Sequence, residues 1–197
     1  VYYKMEDMAE FSDAEIQRYR RKIWIIFQDY QLIESLTPKE NVIYPLILEG
    51  APIIEIKKKY DAINALLNIS TIETCEIKKL SGWEKQKVAM ARALIHAPDF
   101  IIADEPTGNL DSKSSHIIME ELAEVHKKGN TIIMVTHNPD LMAYATRIIT
   151  MFDGKIDTDV KKKPAKKSSK KDAKLNTLDK IEKVEEKIDE IKEELGV

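Results

Sequence analysis

Phe100-Ile-Ile-Ala-Asp-Glu-Pro-Thr-Gly-Asn-Leu-Asp111 is the stretch of the chain that decides its fold class. The four apolar residues at its start are typical of a buried strand in a parallel sheet. Asp104 and Glu105 follow where that strand ends, and open α/β sheets bind their ligands at the carboxyl ends of strands. Pro106 ends the strand, and Gly108 permits a turn. Taken alone, the two carboxylates fit a ligand site or an acidic turn equally well.

Three other blocks of sequence accompany this stretch. They are Ile23-Trp-Ile-Ile-Phe-Gln28, Leu80-Ser-Gly-Trp-Glu-Lys-Gln-Lys-Val-Ala-Met-Ala-Arg-Ala-Leu94 and Asn130-Thr-Ile-Ile-Met-Val-Thr-His-Asn-Pro-Asp140. In chain order, the four blocks resemble the Q-loop strand, the signature loop with its helix, the Walker B strand with the D-loop, and the switch-histidine strand of ABC transporter ATP-binding subunits. Four motifs in the family's order are far more specific than any one of them. The chain is therefore identified as a member of that family from Val1 to about Asp157.

Strands and helices alternate in the second half of the chain. We predict strands over 100–103 and 131–135, joined by a helix over 114–128. This alternation predicts an α/β fold with a parallel sheet and right-handed crossovers. The resemblance implies an ABC-type P-loop NTPase domain over 1–160. Within it, a helical subdomain over about 36–97 would meet the membrane partner.

The resemblance assigns roles to four polar residues at predicted strand ends. Glu105 matches the family's catalytic glutamate, which acts as general base for the attacking water. Asp104 is expected to hold Mg²⁺ through water, although a strand-end cap is the simpler interpretation of that residue. Gln28 is expected to touch the Mg²⁺ and the attacking water, and His137 to contact the γ-phosphate of ATP. Without the family's order of motifs, a lone Gln or His at a strand end would be an ordinary surface or structural residue.

The signature loop begins with Ser81 and Gly82 at a predicted helix N-terminus, which suits an anion. In the family this loop contacts ATP held by the opposite subunit, so the resemblance implies a homodimer. Trp83 stands where a second glycine is usual, and Glu84 stands where glutamine is common. We expect the bulk of the tryptophan to hinder close approach to phosphate, and its Cβ to resist a positive φ. Asp111 matches the D-loop aspartate, which bridges the two subunits in the family.

The chain contains no G-x-x-x-x-G-K-[ST] phosphate loop. That loop cradles phosphates with backbone N–H groups and a lysine. In the family it lies upstream of the Q-loop, so it would precede Val1. We therefore expect a fragment of a longer protein that is inactive as an ATPase by itself. The alternative is a natural domain that never binds ATP alone.

The composition describes a globular domain with an appendage. A net charge of −3 argues against a nucleic-acid partner. The chain has a single cysteine, so it forms no intrachain disulfide, which fits a reducing compartment. No apolar run approaches the roughly 20 residues that span a bilayer. We expect a cytoplasmic protein that associates with the inner face of the plasma membrane through a partner.

The C-terminal region changes character after residue 160. Residues 161–174 are rich in lysine and read as a linker, either a solvated spacer or a segment that attracts anionic lipid headgroups. Residues 175–197 are predicted to form a helix whose apolar residues recur at coiled-coil spacing: Ile181, Val184, Ile188, Ile191 and Leu195. The alternative is an amphipathic helix that docks on its own domain.

The segments 103–111 and 31–42 most resemble the family branch of lipoprotein-release, macrolide-export and cell-division ATPases. The first hypothesis is therefore an ATP-hydrolysing subunit that energises the membrane permease of an export or lipoprotein-release system. A second is a cell-division regulator that transports nothing. A third is a catalytically degenerate interaction module, which Trp83 and the missing phosphate loop motivate.

Overall fold

The computed structural model describes residues 2–3 and 6–162. These residues belong to two compact units, divided between Tyr144 and Ala145. Apart from Lys161 and Lys162, the predicted linker and the predicted coiled-coil helix lie outside the described residues. None of the described helices is long and apolar enough to cross a membrane.

The first unit contains a parallel sheet. A two-stranded antiparallel ribbon, β1 (Tyr2–Tyr3) and β2 (Glu6–Asp7), precedes helix α1 (Asp13–Arg20). The sheet contains β3 (Ile23–Ile26), β4 (Phe100–Asp104) and β5 (Thr131–Val135), with β4 in the middle and all pairings parallel. The predicted α/β fold with a parallel sheet is confirmed.

Helices α2 (Pro38–Leu48), α3 (Ile53–Leu67) and α4 (Gly82–Leu94) lie between β3 and β4 in the chain, and α5 (Ser112–Lys127) joins β4 to β5. Local sequence explains their ends. Thr37 and Glu40 form a capping box at the start of α2. Asn68 ends α3 in a left-handed conformation with φ of 48°. The apolar spacing of 56–67 predicts a helix that starts at Ile56, and α3 begins three residues earlier.

One face of the sheet is covered. Its side chains alternate along the strands and join the core against α4 and α5. We call this set the covered face: Trp24, Ile26, Ile101, Ala103, Ile132 and Met134. Ile26, Ile101 and Ala103 are at most 1% exposed. The core continues into the layer formed by α2, α3 and α4.

The opposite face of the sheet is apolar and largely uncovered. The parallel register places Ile25, Ile102 and Ile133 side by side across the three strands. We call this set, together with Val135, the open face. Ile25 is 42% exposed, Ile133 is 51% exposed and Val135 is 55% exposed. The strands are therefore apolar on both faces, as parallel strands are, but only one face is packed among the described residues.

The second unit contains an antiparallel hairpin, β6 (Arg147–Phe152) and β7 (Lys155–Lys161). Asp153 and Gly154 both have positive φ, 46° and 73°, as the predicted two-residue turn requires. The Arg147 guanidinium donates two hydrogen bonds, of 2.8 and 2.6 Å, to the carboxylate of Asp159. Strand β7 extends to Lys161, and the domain end at residue 160 stays a prediction.

Candidate functional site

Glu105 follows β4 in a left-handed conformation with φ of 44°. This region is unfavourable for a residue with a side chain, and such outliers persist only where their surroundings hold them. Its backbone N–H donates to the carbonyl of Val135 at 2.9 Å. The bond ties the turn after β4 to the end of β5, so residues after both strands meet at one edge of the sheet.

Three donors hold the Glu105 carboxylate. The Thr136 hydroxyl donates to it at 3.0 Å, the His137 backbone N–H donates at 2.9 Å, and His137 Nδ1 lies 2.6 Å from Oε1. Since an ionised carboxylate only accepts, Nδ1 is the protonated nitrogen of this contact. The structure thus brings together Glu105 and His137, two residues that the sequence placed 32 positions apart.

Burial alone would raise the pKa of Glu105, because it penalises the charged form. The hydrogen bonds from His137 and Thr136 outweigh that effect and hold the pKa of the carboxyl below its ordinary value of 4.5. Glu105 is therefore ionised at neutral pH. A carboxylate that is charged, oriented and only 18% exposed is suited to orienting a water or accepting its proton.

The imidazole of His137 contacts Glu105 through one ring nitrogen and is otherwise exposed to solvent. Its side chain is 86% exposed although Nδ1 contacts Glu105. The contact fixes Nδ1 toward the carboxylate, so Nε2 is the nitrogen left for a further partner. The arrangement can link Glu105 to an external group through a single ring.

The other two predicted strand-end residues are placed differently. Asp104 is exposed at the end of β4, in the row of the sheet that pairs with Val135. Gln28 lies just beyond β3, where its Nε2 is 3.5 Å from Asn109 Oδ1 and its carbonyl accepts a 2.9 Å hydrogen bond from Asn109 Nδ2. Among the described residues, no hydrogen bond joins either side chain to Glu105.

Gly108 explains how the Gln28 side chain fits beside the turn after β4. A Cβ at Gly108 would lie 2.7 Å from Gln28 Nε2 and 3.1 Å from its Cδ. The 2.7 Å contact is shorter than real Cβ contacts, so a larger residue would move the end of the Gln28 side chain aside. Gly108 is needed for this close approach, and its φ is not in the left-handed region.

The predicted signature residues form the start of α4. The helix begins at Gly82, directly after Ser81. Glu84 accepts hydrogen bonds from both the backbone N–H and the hydroxyl of Ser81, which is a capping-box arrangement. The ring of Trp83 lies 5.3 Å from Lys87 Nζ, in cation–π contact. Trp83 belongs to the first helical turn and has no positive φ, so the expected backbone strain there is wrong.

Asp111, the predicted D-loop residue, caps α5. Its carboxylate accepts hydrogen bonds from the Ser114 N–H at 2.9 Å and the Ser114 hydroxyl at 3.0 Å. These bonds hold the pKa of Asp111 below its ordinary value. Its role toward a second subunit remains a prediction, but within the chain it orients the loop that follows Glu105.

A cavity of about 190 Å³ lies beside the site. Glu105 and His137 line it, together with Ser112, Ser115 and His116. His116 matches no family motif in the sequence, and its Nδ1 lies 2.9 Å from the Tyr144 hydroxyl. Sequence reasoning gave no reason to place His116 next to the site, since the ring comes from the first turns of α5.

Three residues of the site were missed by the sequence analysis. Thr136 holds Glu105, Asn109 holds Gln28, and Arg92 donates to the carbonyls of Tyr30 and Gln31 at 3.0 and 2.7 Å. A signal existed only for Arg92. It stands in an apolar helical run, and a buried guanidinium requires hydrogen-bond acceptors.

The fold and the site together define a class of protein. The parallel sheet with its helices is of the α/β P-loop NTPase type, which solved ATP-binding cassettes share. The chain belongs to the ABC transporter family, whose model matches residues 1–108.

Curated relatives and solved structures agree with this assignment. The chain is 40% identical over 82% of its length to the macrolide export ATP-binding/permease protein MacB of Chlorobaculum tepidum, of which it covers 25%. It is 38% identical over 78% of its length to the cell division ATP-binding protein FtsE of Bacillus subtilis, of which it covers 68%. A dimeric structure of the ATP-binding cassette MJ0796 bound to ADP and Pi matches with 32% identity and a TM-score of 0.70. That match covers 83% of this chain and 73% of the other.

Proposed function

We propose that the complete protein hydrolyses ATP and energises the membrane permease of an export or lipoprotein-release system. One observation carries this proposal. Thr136 and His137 form hydrogen bonds with the Glu105 carboxylate at the ends of two adjacent parallel strands. The likeness to an export ATP-binding/permease protein supports the transport role. The chain spans about a quarter of that relative's length. The association of this chain with a permease is therefore part of what we propose.

In the proposed reaction, Glu105 is the general base. It is ionised and held in place before any substrate binds, so it needs no reorganisation to accept a proton from water. His137 would contact the γ-phosphate through Nε2. Since Nδ1–H is committed to Glu105, Nε2 donates to a phosphate oxygen only when the ring is doubly protonated.

Asp104 and Gln28 would hold Mg²⁺. Their side chains supply the oxygen donors that Mg²⁺ prefers, and both are exposed at strand ends. One or two protein oxygens are enough for Mg²⁺ in such a site, because waters and phosphates complete its shell. When bound, the ion would neutralise charge on the phosphates.

A homodimer that sandwiches ATP would complete the site. The dimeric MJ0796 structure, bound to ADP and Pi, supports this part of the proposal. Ser81, Gly82, Trp83 and Glu84 would face nucleotide held by the second copy, and Asp111 would lie at the dimer contact. The Ser81 hydroxyl already donates to Glu84, so binding a phosphate there requires that hydroxyl to turn or the backbone N–H groups to serve instead.

The test is phosphate release by the complete protein, expressed with the segment that carries its phosphate loop and with its permease. Glu105→Gln is expected to lower the rate at least about a hundredfold, as loss of a general base does. Glu120→Gln, the same change at an exposed site on α5, should leave the rate unchanged. Equal activity of both variants would reject Glu105 as the base. We further propose that residues 1–197 alone bind ATP poorly, which equilibrium dialysis checks.

The likeness to FtsE favours a second candidate, a cell-division regulator on the inner face of the plasma membrane. Both candidates predict ATP hydrolysis and membrane association through a partner, and they differ in whether the partner transports anything. A degenerate module is the third alternative, motivated by Trp83. Hydrolysis by the complete protein with its partner would reject the third alternative, and absence of hydrolysis would favour it.

A further inference from the structure

The turn between α2 and α3 carries an unusual group of exposed apolar side chains. Ile53 is 84% exposed, Ile54 is 86% exposed and Leu48 is 69% exposed. Within the described part of the first unit, no other large apolar side chain is as exposed. Lys57 and Lys58 lie one helical turn further along α3, and both are exposed. We call these five residues the α2–α3 tip.

The two isoleucines occupy the first two positions of α3. Helix α3 begins at Ile53 directly after Pro52. It buries Tyr60 and Leu67, which define its inner face by helical spacing. Ile54 lies about 120° around the helix from Tyr60, away from that face. Ile53 lies on the same side as Tyr60 but is the first residue of the helix, two turns before Tyr60. Neither side chain is covered by the described residues, so burying them would require an outside partner.

The charges around the tip leave its lysines unpaired. Glu55 pairs with Lys59 at 2.9 Å, and Glu49 lies 3.4 Å from His96 Nδ1 and 3.9 Å from Arg21. Glu49 and Glu55 are thus engaged by other basic groups. Asp61 lies one turn further along α3 from Lys57 and Lys58, but neither lysine forms an ion pair with it or with any other described residue. The tip presents three apolar side chains beside two lysines.

We propose that the α2–α3 tip inserts into the surface of an anionic lipid bilayer. Exposed isoleucines at a helix start can enter the boundary between headgroups and acyl chains, and lysines at i+3 and i+4 can reach the anionic headgroups. The tip is less suited to the core of a protein–protein interface, because such cores are closely packed and contain few charges. The inference goes beyond the proposed function, which needs membrane association only through a permease.

The first experiment is cosedimentation of the full 197-residue chain with vesicles. Vesicles of phosphatidylglycerol and phosphatidylcholine in equal parts are compared with vesicles of phosphatidylcholine alone. We expect the chain to bind the anionic vesicles. The double variant Ile53→Ser with Ile54→Ser should bind at least roughly tenfold more weakly, because two apolar side chains no longer leave water. Lys57→Glu with Lys58→Glu should weaken binding by at least roughly fivefold per lysine.

Matched controls use equal changes elsewhere. Ile133→Ser with Val135→Ser removes two exposed apolar side chains from the open face, and Lys113→Glu with Lys128→Glu reverses two exposed lysines on and after α5. Neither control pair should change binding as much as the tip variants do. Circular dichroism melting checks that every variant is folded.

A second readout separates the tip from the lysine-rich segment 161–174. An environment-sensitive dye is attached at Ile54→Cys in a Cys75→Ser background. A blue shift on anionic vesicles is expected if the tip enters the bilayer. Two results together would overturn the proposal, even if the chain binds vesicles through its lysines. The dye emission would not shift, and the fraction of chain that cosediments would be the same with and without the isoleucine changes. A shift seen only when the permease is present in detergent, without vesicles, would overturn it in favour of a protein partner.

Discussion

The two faces of the three-stranded sheet are equally apolar in sequence but differ in packing. On the covered face, Ile101 is fully buried against the helical layer. On the open face, Ile133 is 51% exposed in the adjoining strand. Strand composition therefore does not report how much each side chain contributes to the free energy of unfolding. That contribution depends on whether another layer packs against the face, because hydrophobic stabilisation scales with the area removed from water.

The largest expected difference comes from truncating one isoleucine on each face. Ile101→Ala should lower the free energy of unfolding by about 2–5 kcal/mol, since it leaves a cavity in a packed core. Ile133→Ala should lower it by less than about 1 kcal/mol, because that side chain is already half in water. Urea denaturation of the two variants measures both values. Equal losses would show that another layer covers the open face in solution.

The next effect concerns the layer that covers the sheet. Lys87 on α4 and Glu121 on α5 form a 2.9 Å ion pair whose side chains are only 10% and 19% exposed. Glu121→Ala leaves Lys87 unpaired and should cost about 2 kcal/mol, below the range for fully buried pairs. Glu124→Ala breaks the exposed pair with Lys127 and should cost less than about 0.5 kcal/mol. Similar values for the two variants would mean that α4 and α5 are not closely packed.

A smaller effect should appear in the pH dependence of stability. Burial raises the pKa of Glu121 above 4.5 although Lys87 opposes the shift. Its favourable contribution is complete below pH 4.5 and is lost as pH rises through the raised pKa. The pKa of Glu105 is lowered, so its contribution is present above pH 4.5 and is lost as pH falls through the lowered pKa.

The variants Glu121→Gln and Glu105→Gln separate these two contributions. Glu121→Gln should reduce the decline above pH 4.5. Glu105→Gln should reduce the decline below it, to which Asp111 also contributes because its pKa is lowered. Urea denaturation across the acid range measures both. A variant that leaves the decline in its own pH range unchanged would contradict the assignment of that carboxyl.

The smallest effect is expected for a polar change on the open face. Val135→Thr keeps a β-branched side chain on β5 and should change the free energy of unfolding by less than about 0.5 kcal/mol. Met134→Thr, one residue away on the covered face, should cost more because a hydroxyl enters the packed layer. Urea denaturation of the two variants at a single pH measures both free energies of unfolding. A larger cost for Val135→Thr would again indicate that the open face is covered.

Much of the fold could be predicted from local patterns. The apolar run before Asp104 gave β4, and the capping box of Thr37 and Glu40 gave the start of α2, because short-range hydrogen bonds decide helix starts. The expected positive φ at Trp83 was wrong because of another short-range hydrogen bond at a helix start. The capping contact between Ser81 and Glu84 starts α4 early enough to give Trp83 ordinary helical angles.

The contacts of the candidate site were less predictable. The motifs named Glu105 and His137, but the Thr136 contact joins residues 31 positions apart, and the contact of Asn109 with Gln28 joins residues 81 positions apart. No local periodicity encodes such pairs, because the sheet register decides them. The covered and open faces differ for the same reason, since the alternation along a strand does not say which layer packs on which side.

The pairing of β3 with β4 also has a consequence for the newly made chain. Ile23–Ile26 can complete this parallel ladder only with Phe100–Asp104, which follows it after the whole helical segment. At roughly 5–20 residues per second, the roughly 70 intervening residues take about 4 to 15 seconds to synthesise. During that time an apolar strand with unpaired backbone groups has left the ribosome without its partner, and it is the segment that a chaperone would most usefully shield.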